Sequence, residues 1–138
     1  MATSMKGSCL CGSVRYECKA EPIIQGHCQC LDCQKESGTG HASFMMFPKA
    51  AVQISGSTKE YRSKADSGNT VSRCFCPNCG SHVYGGSSGF PDGIAITAAT
   101  LDDPSLFKPQ MVAYTIRGHA WDQLDPALPR FERMPPMQ

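Results

Sequence analysis

Short apolar runs, separated by glycine, proline and serine, recur along the whole chain and predict a mainly β protein. Several runs alternate apolar and polar residues, as in a strand with one buried face. The predicted strands cover 13–17, a short segment that begins at 23, 41–47, 52–54, 59–62, 70–75, 94–100 and 111–116. There is no internal repeat and no linker, so we expect one domain over residues 1–138.

One short helix is predicted, beginning near Leu31 and ending at Gly38. The polar segment 63–69 and the glycine- and serine-rich segment 85–93 are predicted to be loops. The tail is expected to be extended and to pack through four apolar residues: Trp121, Leu124, Leu128 and Phe131.

The charge balance argues against two classes of partner. With 13 basic and 12 acidic residues, the chain lacks the basic excess of a nucleic-acid or membrane-surface binder. No apolar run approaches the ~20 residues that a membrane span requires. Residues 1–7 lack the apolar core of a secretory signal, so we expect a cytoplasmic protein.

Nine cysteines carry the candidate chemistry, and seven of them fall into three closely spaced groups. The odd total and the C-x-C and C-x-x-C spacings suit metal ligands better than a disulfide framework. A reducing compartment favours the same interpretation. The remaining two, Cys18 and Cys74, are expected to be packed thiols, because free cysteine behaves as a small apolar residue.

The two outer groups together supply four thiolates, the number that a closed tetrahedral zinc site requires. They are Cys9 with Cys11, and Cys76 with Cys79. Because the pairs are far apart in the chain, we expect a structural zinc that joins the amino-terminal strand to the second half of the domain.

The middle group of Cys28, Cys30 and Cys33 is one thiolate short of a closed site. It could be a second structural zinc completed by Cys74, His27 or His41, or a zinc whose fourth position takes water or a substrate. Three thiolates give the zinc site a negative charge, which acidifies bound water poorly and favours a thiol as the exchanging ligand.

Few other side chains are candidates for acid–base chemistry. His41 follows the helix-ending glycines near the second cysteine group, and Asp32 lies within that group. His82 is expected to be structural and His119 solvated. Three cations could meet an anionic substrate, although a solvated surface role is favoured for each one: Arg15, Lys35 and Arg73.

Three ordered cysteine motifs resemble the glutathione-dependent formaldehyde-activating enzyme family, which also includes centromere protein V. They are GSCLCGSVRY over 7–16, C-x-C-x-x-C-Q over 28–34 and R-x-F-C-x-x-C-G-S over 73–81. The segment LDDP over 101–104 and the late Trp121 with LPRF over 128–131 are also similar to that family. The resemblance covers nearly the whole chain.

The resemblance implies an Mss4-like fold with a structural zinc at the outer cysteines and a catalytic zinc at the middle group. It also implies a carbon–sulfur lyase activity, the formation of S-hydroxymethylglutathione from formaldehyde and glutathione. In one departure, Gln29 stands where many members carry a histidine between the first two cysteines of the group.

Two functional hypotheses follow. The first is an enzyme that adds a thiolate, such as that of glutathione, to a small carbonyl compound. The second is a non-catalytic zinc-binding module that recognises a protein partner. A basic low-complexity extension would favour this second hypothesis, and this sequence does not contain one.

Overall fold

The computed structural model describes residues 4–135 and consists mainly of β-strands. One α-helix, α1 (Leu31–Ser37), and several 3₁₀ turns complete it. The strands are β1 (Met5–Ser8), β2 (Arg15–Cys18), β3 (Ile24–Cys28), β4 (Ala42–Pro48), β5 (Val52–Ser55), β6 (Lys59–Lys64), β7 (Thr70–Phe75), β8 (His82–Ser87), β9 (Phe90–Thr97) and β10 (Met111–Ala113).

The strands form two sheets. The larger has the order β10-β3-β4-β9-β8-β7-β6, in which β10 pairs with β3 in parallel and the other neighbours are antiparallel. The smaller has the order β1-β2-β5 and is antiparallel. A bridge between Gly7 and Leu101 links the smaller sheet to the segment that follows β9.

One face of the larger sheet belongs to the hydrophobic core and packs with residues of the smaller sheet. Alternate residues of β4 and β9 point toward the core, as the strand period requires, and are buried. The core cluster includes Met45, Phe47, Ile94 and Ile96 from the larger sheet, and Met5, Tyr16 and Cys18 from the smaller. The opposite face is therefore free to carry polar and cysteine side chains.

Strand register places several of these side chains on that opposite face. Cys28 pairs with Ala42, and Phe44, two residues further along β4, pairs with Thr97. Ala95 precedes Thr97 by two residues and pairs with Gly85, which in turn pairs with Arg73. Cys28, Thr97 and Arg73 consequently share one face of the sheet.

Helix α1 is capped at both ends. Cys30 is the N-cap residue, and its sulfur accepts a hydrogen bond from the backbone N–H of Cys33. Gly38 adopts the left-handed conformation at the C-terminus with φ of 78°, and its N–H donates to the carbonyl of Gln34. The start and end predicted for this helix are confirmed.

Three expectations about the chain are wrong. The segment 85–93 is the hairpin of β8 and β9 rather than a loop, because glycine permits the close approach of neighbouring backbones. The strand predicted over 111–116 ends at Ala113, and Tyr114 has a left-handed conformation with φ of 57°. Trp121 is 68% exposed and stacks on His119 instead of packing the tail.

Within residues 4–135, no helix has the length and apolar character needed to cross a bilayer.

Candidate metal centres and the adjoining cleft

The four outer cysteines come together in space. Their sulfur atoms all lie within 4.8 Å of one another. The Cys9–Cys11 and Cys11–Cys76 sulfur separations are both 3.7 Å. A tetrahedral zinc with Zn–S bonds of about 2.3 Å requires sulfurs about 3.8 Å apart. The donor set and its spacing therefore fit a four-thiolate zinc.

Two serine hydroxyls stabilise thiolates in this cluster. Ser13 Oγ lies 3.1 Å from the sulfur of Cys11 and 3.2 Å from that of Cys76. Ser81 Oγ lies 3.2 Å from the sulfur of Cys79. These hydrogen bonds are the main cause that lowers the pKa of Cys11 to about 7 and that of Cys79 to about 5.

The second cluster contains the three cysteines of the middle group, also with their sulfur atoms within 4.8 Å of one another. Cys28 ends β3, Cys30 caps α1, and Cys33 lies in the first helical turn. Hydrogen bonds from the Cys28 and Cys33 thiols lower the pKa of Cys30. The backbone N–H of Cys33 and the charge of Arg73 lower it further. Three soft thiolate donors fit a zinc that keeps one position open.

None of the other residues considered as a fourth ligand joins this cluster among the described residues. Cys74 is buried in β7, and its sulfur lies 3.9 Å from a carboxylate oxygen of Glu60. His27 is adjacent to Cys28 in a strand, so the two side chains point to opposite faces, and its Nδ1 lies 2.8 Å from Ser43 Oγ. Cys18 is fully buried in the core, as expected.

His41 belongs to a hydrogen-bonded network with two residues that the sequence did not single out for this role. Its Nδ1 lies 2.9 Å from Asp122 Oδ1, and Gln29 Nε2 donates to Asp122 Oδ2 at 3.1 Å. The Gln29 side chain is buried, and the Asp122 side chain is 8% exposed. The glutamine that departs from the family pattern thus orients the carboxylate that holds His41.

Asp32 lies in the first turn of α1 and is exposed to solvent. Its carboxylate has no hydrogen-bonding partner in the described part of the chain. A negative charge at this end of a helix interacts favourably with the helix dipole.

A cleft of about 820 Å³ opens beside these elements. It is lined by α1, the start of β4, the start of β8 and the end of β9, together with residues 8–10, which include Cys9 of the outer cluster, and residues 99–102. The three cysteines of the middle group do not line it. Its wall begins at Glu36, which lies one helical turn after Cys33 and so on the same side of α1. Its polar lining includes Glu36, His41, Ser43, His82 and Thr97.

An ion pair joins the helix to the sheet at the edge of this cleft. Arg73 Nε donates to a carboxylate oxygen of Glu36, and the side chains are 15% and 14% exposed. Burial raises the pKa of Glu36, and the attraction of Arg73 opposes that shift. The other carboxylate oxygen of Glu36 lies 3.3 Å from His82 Nδ1.

Sequence reasoning singled out neither Glu36 nor Asp122. Glu36 had a usable signal, because a residue three positions after Cys33 in a helix shares its face. Asp122 is 81 residues from His41, and no local sequence pattern predicts that contact.

The mainly β fold and the two cysteine clusters define a small protein with candidate thiolate metal sites. The chain belongs to the glutathione-dependent formaldehyde-activating enzyme family, whose model matches residues 4–117. This match confirms the resemblance seen in the cysteine motifs.

A solved structure shares the fold. It is the crystal structure of a Rhodobacter sphaeroides protein determined as a structural genomics target, and its TM-score with this chain is 0.59. The two are 20% identical over 76% of this chain and 97% of that one. Comparison with curated protein sequences gives no match.

Proposed function

We propose that the protein is a zinc-dependent carbon–sulfur lyase-type enzyme. It adds a thiolate like that of glutathione to a small carbonyl compound such as formaldehyde, giving S-hydroxymethylglutathione, and catalyses the reverse release. Clustered reduced thiols suit a reducing compartment, so the proposal assigns the enzyme to the cytoplasm.

One observation carries the proposal. Cys28, Cys30 and Cys33 gather their sulfurs within 4.8 Å, and no further histidine, cysteine or carboxylate ligand joins them among residues 4–135. With three ligands, a bound zinc would keep its fourth position open for a substrate. The four-thiolate cluster has no open position and is proposed to hold a structural zinc: Cys9, Cys11, Cys76 and Cys79. Zinc held by the three cysteines would stabilise a substrate thiol as its thiolate.

His41 is the proposed proton donor to the carbonyl oxygen. An imidazolium at this position has the Asp122 carboxylate as its counter-ion, and Gln29 fixes the orientation of that carboxylate. His41 also lines the cleft, where a substrate can reach it. Asp32, exposed at the start of α1, has the weaker support for an acid–base role.

Beyond binding the two substrates, the protein needs to supply only proton transfer and stabilisation of the thiolate. Addition of a thiol to an aldehyde forms one C–S bond and one O–H bond and requires no redox cofactor. Holding the thiolate and the carbonyl carbon together can itself supply several kcal/mol.

The test is the rate of exchange between formaldehyde and glutathione at equilibrium, measured by NMR over the uncatalysed background. We expect the zinc-loaded wild type to accelerate the exchange and the Cys30→Ser variant to lose the acceleration while remaining folded. Equal rates would reject formaldehyde chemistry and favour another thiol–carbonyl pair or the protein-binding module.

A further inference from the structure

Arg73 is a largely buried cation whose hydrogen-bond donors are only partly used within the protein. Its Nε donates to a carboxylate oxygen of Glu36, and its Nη1 lies 3.5 Å from Ser63 Oγ. Nη2 has no hydrogen-bonding partner among residues 4–135. Solvent can reach it, because His82 Nε2 is the one buried side-chain nitrogen or oxygen in that range without a hydrogen bond. Nη2 is therefore a donor that a ligand can use.

The charge of Arg73 is the least exposed among the paired lysine and arginine side chains of residues 4–135. Its side chain is 15% exposed, whereas the other five are at least 46% exposed. Arg73 is thus not the solvated surface residue that the sequence favours. Because water screens a buried charge poorly, this guanidinium acts more strongly on its neighbours than a surface cation does.

The neighbours of Arg73 include the three-cysteine cluster. Arg73 shares one face of the larger sheet with Cys28, and its partner Glu36 lies one helical turn after Cys33 on the same side of α1. Burial lowers the pKa of Arg73, but the charges of Glu36 and Cys33 raise it above its ordinary value. Beside the hydrogen bonds from the other two cysteines, the charge of Arg73 lowers the pKa of Cys30.

A cation at this place changes which ligand the open position favours. Three thiolates give a zinc site a charge of −1, and a fourth thiolate would bring it to −2. A second negative charge is stable there only if a nearby positive group compensates it. Glu36 occupies the Nε side of the guanidinium, so the remaining amino group can serve an anionic ligand.

We propose that Arg73 is a specificity-determining residue of the three-cysteine site, whose Nη2 donates a hydrogen bond to an anionic ligand such as the substrate thiolate. This role rests on the proposed function and deepens it, because it selects a thiolate over a neutral ligand. When a thiol binds, its S–H proton goes to solvent and the electron pair stays on sulfur. A charge-assisted hydrogen bond from a guanidinium is roughly twice as strong as one between neutral groups.

The test measures ligand binding by the cobalt(II)-substituted protein, whose visible absorption changes when a ligand of the metal is exchanged. The four-thiolate cluster has no open position, so the change reports on the three-cysteine cluster. The two probes are 2-mercaptoethanol, which binds as an anion, and imidazole, which binds as a neutral ligand. Cys30→Ser provides the baseline.

Two changes at Arg73 are compared. Arg73→Met is combined with Glu36→Gln, because Arg73→Met alone would leave a buried carboxylate without its partner, and Glu36→Gln alone is the reference. Arg73→Lys keeps the charge and can still pair with Glu36, but its compact ammonium lacks the forked donors of a guanidinium. Arg62→Met is the matched control, since Arg62 is exposed on β6 and pairs with Glu60.

We expect the double variant to bind 2-mercaptoethanol about 10-fold or more weakly than Glu36→Gln does, as for a lost hydrogen bond to a charged group. Its affinity for imidazole should equal that of Glu36→Gln. Arg73→Lys should also bind the thiol more weakly relative to imidazole, and Arg62→Met should match the wild type with both probes. Melting temperature and cobalt content of each variant show that it is folded and loaded.

Three results overturn the role of Arg73: a double variant that binds the thiol as Glu36→Gln does, an equal loss of affinity for both probes, or a wild-type preference in Arg73→Lys. Each leaves the proposed function standing if the wild-type spectrum responds to the thiol. A wild-type spectrum that responds to neither probe shows that no position is open, and this rejects the proposed function and the role of Arg73 with it.

Discussion

The Nδ1 atom of His41 lies 2.9 Å from Oδ1 of Asp122, a residue 81 positions later in the chain. The contact joins the segment before β4 to the carboxy-terminal tail. Gly40 leaves room for the Asp122 side chain, because a Cβ atom there would overlap the carboxylate. A nearly buried carboxylate is stable only with such partners, so the tail helps to build the proposed active site.

We predict that Asp122→Asn lowers the catalysed exchange rate by about 100-fold without unfolding the protein. Asparagine can still accept a hydrogen bond from His41 but cannot balance the charge of an imidazolium. Exchange kinetics and the melting temperature, measured on the same preparation, separate the two effects.

Asp125→Asn is the matched control for this change. Asp125 lies in an exposed turn three residues later, where its carboxylate accepts from the N–H of Ala127. It should keep wild-type activity. If both variants lost activity to the same degree, the exchange rate would depend on the tail in general and not on the Asp122 carboxylate.

Local patterns were sufficient for the three-cysteine cluster and for α1, because the ligand spacing and the helix-ending glycine belong to one short segment. Cys30, Cys33 and Gly38 all lie within nine positions of one another. The outer cluster joins two pairs 65 residues apart, and the count of four thiolates predicted it. The Asp122–His41 contact depends on the path of the tail, which pairs with the edge strand β10, and no short segment contains that information. The hairpin at 85–93 was missed because glycine favours loops locally, whereas at Gly85 the neighbouring strand leaves no room for a Cβ atom.

The two candidate metal centres should respond differently to loss of a ligand. We predict that Cys76→Ser gives unfolded or insoluble protein, since apparent zinc binding at a structural site contributes about 10 kcal/mol to folding. Cys30→Ser should remain folded with one zinc fewer. Circular dichroism and metal analysis of both variants test this prediction. If both variants unfold alike, the distinction between a structural and an exchangeable site is wrong.

Cys74 tests the assignment of the ligands themselves. It lies two residues before Cys76, yet its sulfur contacts Glu60 and belongs to neither cluster. We predict that Cys74→Ala leaves the zinc content per chain unchanged. A loss of one zinc would make Cys74 a ligand of the three-cysteine site.

The glycines of the β8–β9 hairpin give a stability prediction. A Cβ atom at Gly85 would lie 2.5 Å from the carbonyl oxygen of Ser72, whereas at Gly86 the nearest atom would be 3.8 Å away. Gly85→Ala should lower the free energy of unfolding by roughly 1–3 kcal/mol. Gly86→Ala should leave it unchanged or raise it slightly. Urea unfolding compares the pair, and equal effects would show that strand β8 can shift to make room.

Cys18 should make the fold sensitive to alkaline pH. Burial, with the charge of Glu17, raises the pKa of this thiol from 9.0 to about 12. Above pH 9 the unfolded chain therefore loses a proton that the folded chain keeps. The stability that Cys18 provides is fully present below pH 9 and falls as the pH rises toward 12. Tyr16, whose pKa burial also raises, adds to the same trend.

Comparison with Cys18→Ala isolates this contribution, because Tyr16 and the metal ligands are the same in both proteins. Urea unfolding of each at several pH values from 8 to 11 gives the difference in their free energies of unfolding. That difference should be constant below pH 9 and then shift against the wild type by up to about 1.4 kcal/mol per pH unit. Parallel curves over the whole range would show that the thiol ionises as easily in the folded core as in the unfolded chain.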